Sequence, residues 1–187
     1  MYHICEKDYI SSNNYSSIFE RYPFPLDTFQ KYAIEAIEEG HNILVAVPTG
    51  SGKSLPGEYA IKKFCEAGKK VIYTSPIKAL SNQKHKEFSK KFPNISFGIV
   101  TGDTNNNSDA DCLIMTTEIL WKTLFQTRMK ENNSINSDKI ELHFNLKVED
   151  IGAVIFDEFH YINDRFRGHV WKQTVKMLPV EVVQVYL

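Results

Sequence analysis

Cysteine is scarce and unpaired in this chain. Cys5, Cys65 and Cys112 are odd in number and show no C-x-x-C spacing, which supports neither a disulfide framework nor a zinc site and suits a reducing interior. No apolar run approaches the ~20 residues of a membrane span. The N-terminus lacks the basic-then-apolar pattern of a secretory signal. Charge excess is missing as well: 22 Lys+Arg stand against 23 Asp+Glu, a formal net charge of −1. No global basic field advertises nucleic acid, so any polynucleotide contact must be local. No internal repeat is visible. What is present is an ordinary globular composition, 42% hydrophobic and 24% charged, in 187 residues, enough for one sizeable domain rather than two. A soluble intracellular protein, in cytoplasm or nucleus and with no membrane partner, is the expectation.

The most informative stretch is NILVAVPTGSGKSLPGEY, starting at Asn42. Residues 43–47 predict a short apolar strand of the kind covered on both faces. Gly50 and Gly52 allow a tight turn and close approach to a ligand, and the residues after Gly52 suit a helix. A strand, a glycine loop and a helix start form an anion site, because free backbone N–H groups and the helix dipole point the same way. The pattern G-x-x-x-x-G-K-[ST] is met at its end by Gly52, Lys53 and Ser54, while Val47 stands in place of its opening glycine.

Apolar runs at 71–74, 96–100, 112–115, 153–156 and 182–187 predict further strands. Residues 28–39, 53–67, 77–91 and 118–129 predict helices, with Phe29, Ala33, Ile34 and Ile37 on one face of the first. This alternation predicts an α/β fold with a doubly wound, mostly parallel sheet flanked by helices. In such sheets ligands sit at the carboxyl ends of the strands. Residues 1–22 read as an irregular lead-in. Residues 139–147 alternate and suit a strand or hairpin.

A phosphate loop of this type works with magnesium, which takes hard oxygen ligands. AVIFDEFHYIND supplies Asp157 and Glu158 at the end of an apolar run, where two adjacent carboxylates without a cation are costly. Ser54 would ligate the metal directly, and Asp157 would hold it by orienting its bound water. Glu158 would activate the water that attacks the γ-phosphate, and Lys53 would neutralise the β- and γ-phosphates. The alternative is that the acidic pair only begins a solvated loop.

VPTGSGKS, TSPIKALSNQK, TGD, MTTEIL and VIFDEFHYIND follow one another in this order. The set resembles motifs I, Ia, Ib, Ic and II of superfamily 2 helicases, and within them the DExH-box RNA helicases of the superkiller and exosome-associated class. The resemblance covers residues 22–187, nearly the whole chain. It implies a RecA-like P-loop domain over residues 23–187 that uses ATP and Mg2+. Residue by residue, it implies nucleotide contacts from Thr49, Gly50, Ser51, Gly52, Lys53 and Ser54 and catalytic roles for Lys53, Asp157 and Glu158. His160 would help couple the nucleotide site to the polynucleotide, with a solvated surface histidine as its alternative. YPFPLDTFQ resembles the adenine-recognition segment, with Phe24 on the base and Gln30 on its edge. Phe24 also suits a core position, and Gln30 has capping-box spacing from Asp27.

The polynucleotide side resembles the family through Pro76, Ile77, Lys78, Ser81, Gln83, Thr101, Gly102, Thr116, Thr117 and Glu118. Small hydroxyls and helix-start amides can grip phosphates and sugars without reading bases. For Lys78 and Lys84–Lys86 a solvated helix face is the alternative. The resemblance implies single-stranded RNA as the partner, with DNA as the alternative, and a second RecA-like domain that carries an arginine finger. No Ser-Ala-Thr motif follows EVVQVYL, so the chain reads as a first motor domain that binds ATP weakly and hydrolyses it poorly alone. A binding module with a vestigial nucleotide site is the alternative of another class. Four intact residues, Lys53, Ser54, Asp157 and Glu158, speak against it. Lys172 and Gln173 stand where relatives tend to carry acids. Residues 128–147 read as a surface insertion suited to a protein partner.

Overall fold

The chain alternates between strand and helix along most of its length. The strands are β1 (Ile43–Leu44), β2 (Lys70–Ser75), β3 (Phe97–Val100), β4 (Asn105–Asn106), β5 (Cys112–Thr116), β6 (Ile151–Phe156) and β7 (Val183–Tyr186). The helices are α1 (Ser16–Phe19), α2 (Thr28–Glu38), α3 (Leu55–Glu66), α4 (Lys78–Lys91), α5 (Thr117–Glu131) and α6 (Gly168–Met177). The computed structural model describes residues 5, 8–10, 15–131 and 147–187. One sheet runs in the order β1-β7-β6-β2-β5-β3-β4. Among the described residues every pairing is parallel except β3 with β4.

The centre of the sheet holds the most apolar runs. β2, β5 and β6 are buried on both faces, as parallel strands between two helical layers must be. Their side chains alternate. Val71, Tyr73, Ile114 and Ile155 pack with Ile61 of α3 and Phe88 of α4. Ile72, Met115, Val154 and Phe156 pack with Leu120 of α5 and Trp171 of α6. That two-residue period places Tyr73 and Asp157 on one side of the sheet, and Asp157 N–H extends the ladder to Thr74 O at 3.0 Å.

Four observations depart from the expectations. The strand expected at 43–47, covered on both faces, is a two-residue edge strand paired only with β7, and Leu44 is 65% exposed. An edge strand has one neighbour, and Pro48 ends the ladder soon after Val45 N–H reaches Tyr186 O. The lead-in is not wholly irregular: α1 sets Ile18 and Phe19 against a satellite cluster of Leu26, Ile34 and Leu55. α6 is a helix that the apolar runs do not announce, and it buries Val170, Trp171 and Thr174. β4 reverses direction in the polar stretch after Gly102. The expected insertion and hairpin at 128–147 lie largely outside the described residues.

Candidate nucleotide site and strand-facing surface

The loop from Pro48 to Ser54 turns through two left-handed glycines, Gly50 (φ 87°) and Gly52 (φ 77°). Gly52 is doubly constrained, since an added Cβ would stand 2.8 Å from Gln30 Nε2. Ser51 N–H bonds Pro48 O, and Leu55 N–H bonds Gly52 O. No backbone acceptor among the described residues takes the N–H groups of Gly50, Gly52, Lys53 or Ser54. α3 begins at Leu55, with Ser54 at its N-cap and Pro56 in its first turn, where a missing N–H costs nothing. Free amides at a helix start, a lysine and a serine hydroxyl form the donor set an anionic phosphate requires.

Gln30 spans from helix α2 to this loop. Its Oε1 accepts Asp27 N–H at 3.0 Å in a capping box, and its Nε2 donates to Gly52 O at 3.2 Å. It is 5% exposed. Both ends of its amide are therefore engaged within the chain. Phe24, 49% exposed, stands on the Tyr22–Leu26 segment with its ring 5.9 Å from that of Tyr22. Two concavities border that segment, one lined by Phe19, Phe24 and Lys31 and the other by Tyr22, Tyr59 and Lys63.

The acidic pair forms a sharp elbow at the end of β6. Asp157 is buried, and Tyr73 OH donates to its Oδ2 at 2.7 Å. Its Oδ1 accepts Glu158 N–H at 3.0 Å. Each carboxylate oxygen keeps a lone pair free, so the group can still take metal-bound water. Burial first, and the Asp157 charge second, hold the Tyr73 hydroxyl well above its ordinary pKa, so it stays a donor. Glu158 is left-handed at φ 54°, ψ 47°, a conformation that costs a non-glycine residue about 1–2 kcal/mol. The elbow is fixed on its far side by Phe159 N–H to Leu187 O at 2.7 Å. It aims Glu158 across the site: Lys53 Nζ lies 3.5 Å from Glu158 Oε2, and His160 Nδ1 lies 3.2 Å from the same oxygen. Lys53 and His160 thus meet at the Glu158 carboxylate, next in sequence to Asp157.

The residues expected to meet a polynucleotide divide into an exposed and a buried set. Ile77, Lys78, Gln83 and Gly102 are exposed. Lys78 Nζ pairs with Asp103 Oδ1 at 2.9 Å, and Thr101 Oγ1 donates to the same oxygen at 2.9 Å. These contacts hold the Asp103 carboxyl below its ordinary range. Ser81 is buried with its Oγ 2.7 Å from Ser75 Oγ. Thr101, Thr116 and Thr117 are buried too, at 5%, 7% and 0% exposure, because they sit where strands β3 and β5 end under helices. Pro76, also buried, and Glu118 are brought together by the Arg167 side chain.

A family model for the DEAD/DEAH box helicase matches residues 27–187. The chain belongs to the DEAD/DEAH box helicase family. Antiviral helicase SKI2 of Saccharomyces cerevisiae is 45% identical over 166 residues, 89% of this chain and 12% of that protein. Exosome RNA helicase MTR4 of Homo sapiens is 40% identical over 168 residues, 90% of this chain and 14% of that protein. Probable helicase HelY of Mycobacterium tuberculosis is 39% identical over 88% of this chain and 16% of that protein. The chain therefore spans a small part of the length of the curated relatives it matches. Among solved structures, the DUF1998 helicase MrfA bound to DNA and AMPPNP aligns with a TM-score of 0.66 at 19% identity, covering 96% of this chain and 26% of that one. A hypothetical ATP-dependent RNA helicase from Sulfolobus tokodaii aligns at 0.60 and 17%, covering 91% of this chain and 48% of that one. Both likenesses, under 25% identical, show the fold alone.

Two residues of this helicase domain escape a motif-by-motif reading. Tyr73 looks like one more apolar position of β2, yet it is the buried partner of Asp157. Arg167 lies in DRFRG, past the acidic pair, and its partners are far away in sequence. Gln173 accepts Trp121 Nε1–H at 2.9 Å.

Proposed function

We propose that the chain is the ATP-binding first motor domain of an ATP-dependent RNA helicase. The observation that carries this reading is the convergence of Lys53, Glu158 and His160 beside four free loop amides. The loop amides and Lys53 hold the β- and γ-phosphates, and Ser54 and Asp157 hold Mg2+. The metal, when bound, neutralises phosphate charge. Lys53 exchanges its Glu158 partner for a phosphate oxygen, which releases the Glu158 carboxylate to orient and deprotonate the attacking water. Tyr73 keeps Asp157 fixed while this happens. Phe24 packs on the adenine. Gln30 reads its edge with the Nε2 hydrogen and Oε1 lone pair that its capping and loop bonds leave over.

RNA is favoured over DNA because a relative at 40% identity across 90% of this chain is named an RNA helicase, whereas the DNA-bound neighbour is alike in fold alone. A second RecA-like domain completes the site, and no arginine among the described residues pairs with Lys53, Glu158 or His160. Residues 23–187 form this domain after the lead-in of residues 1–22, and the insertion near 128–147 takes a protein partner. The protein works in the cytoplasm or nucleus. No helix of the described residues is long and apolar enough to cross a membrane.

The test is ATP turnover with and without saturating single-stranded RNA or DNA, with Glu158→Gln as control. Low turnover that RNA raises more than DNA, and that the control abolishes, supports the reading. Turnover indifferent to Glu158→Gln overturns the assigned base, and stimulation by DNA alone makes the domain part of a DNA helicase.

A further inference from the structure

Arg167 stands at the junction between the segment behind the acidic pair and two stretches on the proposed strand-facing surface. Its Nε donates to Glu118 Oε1 at 2.7 Å, and one terminal nitrogen reaches both that oxygen and the Pro76 carbonyl. Its backbone N–H donates to Asp164 Oδ1 at 2.7 Å, and its guanidinium lies 6.0 Å from the centre of the Tyr161 ring. The next residue is Gly168, where an added Cβ would stand 2.4 Å from Ile162 O. Only glycine lets the chain pass there, and that passage delivers Arg167 to its partners. The pair is half-buried, with side-chain exposures of 36% and 35% for Arg167 and Glu118, so water screens it only in part.

Glu118 is the second residue of α5, just past the end of β5, and Pro76 opens the turn from β2 into α4. An unpaired carboxylate at that junction would repel a phosphate backbone lying along the exposed Lys78 and Gly102 edge. We propose that Arg167 is a positioning residue of the strand-binding surface: it masks the charge of Glu118 and clamps the Pro76 turn to the start of α5, so that a polyanionic strand can lie across both. This inference rests on the proposed nucleic-acid function. It gives Glu118 a role opposite to that of a contact residue, because its charge must be cancelled before a strand can approach. A planar fork that holds a carboxylate and a carbonyl at once is a task for arginine rather than lysine.

The experiment is fluorescence anisotropy of a labelled oligouridylate against the full 187-residue chain. The proteins are wild type, Arg167→Gln, Glu118→Gln, the double variant and the charge swap Glu118→Arg with Arg167→Glu. Thermal melting of each separates loss of fold from loss of binding. Arg167→Gln is expected to weaken binding about fivefold, the size of one uncompensated charge at close range in water. Glu118→Gln is expected to tighten binding. The double variant and the swap are expected to recover most of what Arg167→Gln loses. A double variant as weak as Arg167→Gln makes Arg167 a direct phosphate ligand and overturns the masking role. A weaker Glu118→Gln, or an Arg167→Gln that binds like wild type, overturns it equally. Wild type that does not bind the oligonucleotide overturns the nucleic-acid reading itself, and the role of Arg167 falls with it.

Discussion

Replacing Tyr73 by phenylalanine removes one oxygen from the buried wall of the nucleotide site and little else. The ring keeps its edge contact with Phe88, 5.1 Å between centres at 77°, so packing is conserved. What is lost is the 2.7 Å bond to Asp157 Oδ2. A hydrogen bond to a charged acceptor contributes about 1.5–3 kcal/mol. Asp157 is only 8% exposed, so water replaces little of that. A loss of about 2 kcal/mol, at about 2–4 °C per kcal/mol for a chain of this size, lowers Tm by about 4–8 °C. The pH dependence has a definite sign. The Tyr73 hydroxyl titrates well above its ordinary 10.0 in the folded chain. Its contribution is therefore complete below that value and lost only as pH rises through the folded one. The difference in Tm between wild type and variant should stay constant between about pH 6 and 9. Thermal melting of Tyr73→Phe, of Asp157→Asn and of the double variant is the assay. In the Asp157→Asn background the Tyr73 substitution should cost much less, since the acceptor is no longer charged. Equal costs in the two backgrounds, or a Tyr73→Phe variant that melts with wild type, would show that the Tyr73–Asp157 bond does not stabilise the fold.

Three further outcomes are expected. Gly52→Ala forces a side chain into φ 77° and within 2.8 Å of Gln30 Nε2; it should cost about 1–2 kcal/mol in urea unfolding and weaken nucleotide binding with it. Gln30→Ala removes the capping box and the hold on Gly52 O, so about 1 kcal/mol of stability should go and amides at the start of α2 should exchange faster; if Gln30 also reads adenine, the preference for ATP over GTP falls in the same variant. Asp164 accepts the N–H groups of Arg167 and Phe166, which hold its carboxyl below the ordinary 3.8; its folded pKa is lowered, so the ordering of the Arg167 loop is complete above that ordinary value and lost only as pH falls through the lowered one, which an NMR titration of the Arg167 amide would follow.

Much of the site is legible in the residues themselves. The glycine loop and the acidic pair each follow an apolar run, and both need only local chain geometry to be recognised. The central strands β2, β5 and β6 are legible because burial on both faces leaves a mostly apolar run in each, with Thr74, Ser75 and Thr116 only at the carboxyl ends. Position within the sheet is not local. The run before Pro48 has the apolarity of a central strand, and only the β7 pairing makes β1 an edge. The threonines after the strands read as surface hydroxyls by type, but helix packing over the strand ends buries them. Tyr73 and Asp157 are 84 positions apart, and Arg167 is 91 from Pro76 and 49 from Glu118. Neither partnership leaves a periodic trace along the chain.

The most direct measurement is equilibrium binding of a fluorescent ATP analogue to the 187-residue chain, with and without Mg2+, beside Lys53→Ala. Saturable, Mg2+-dependent binding that weakens about tenfold in the variant, as loss of one charge-assisted phosphate contact requires, is the predicted result. Binding that is equal in both proteins, or absent from wild type, would contradict the placement of a nucleotide on the Thr49–Ser54 loop.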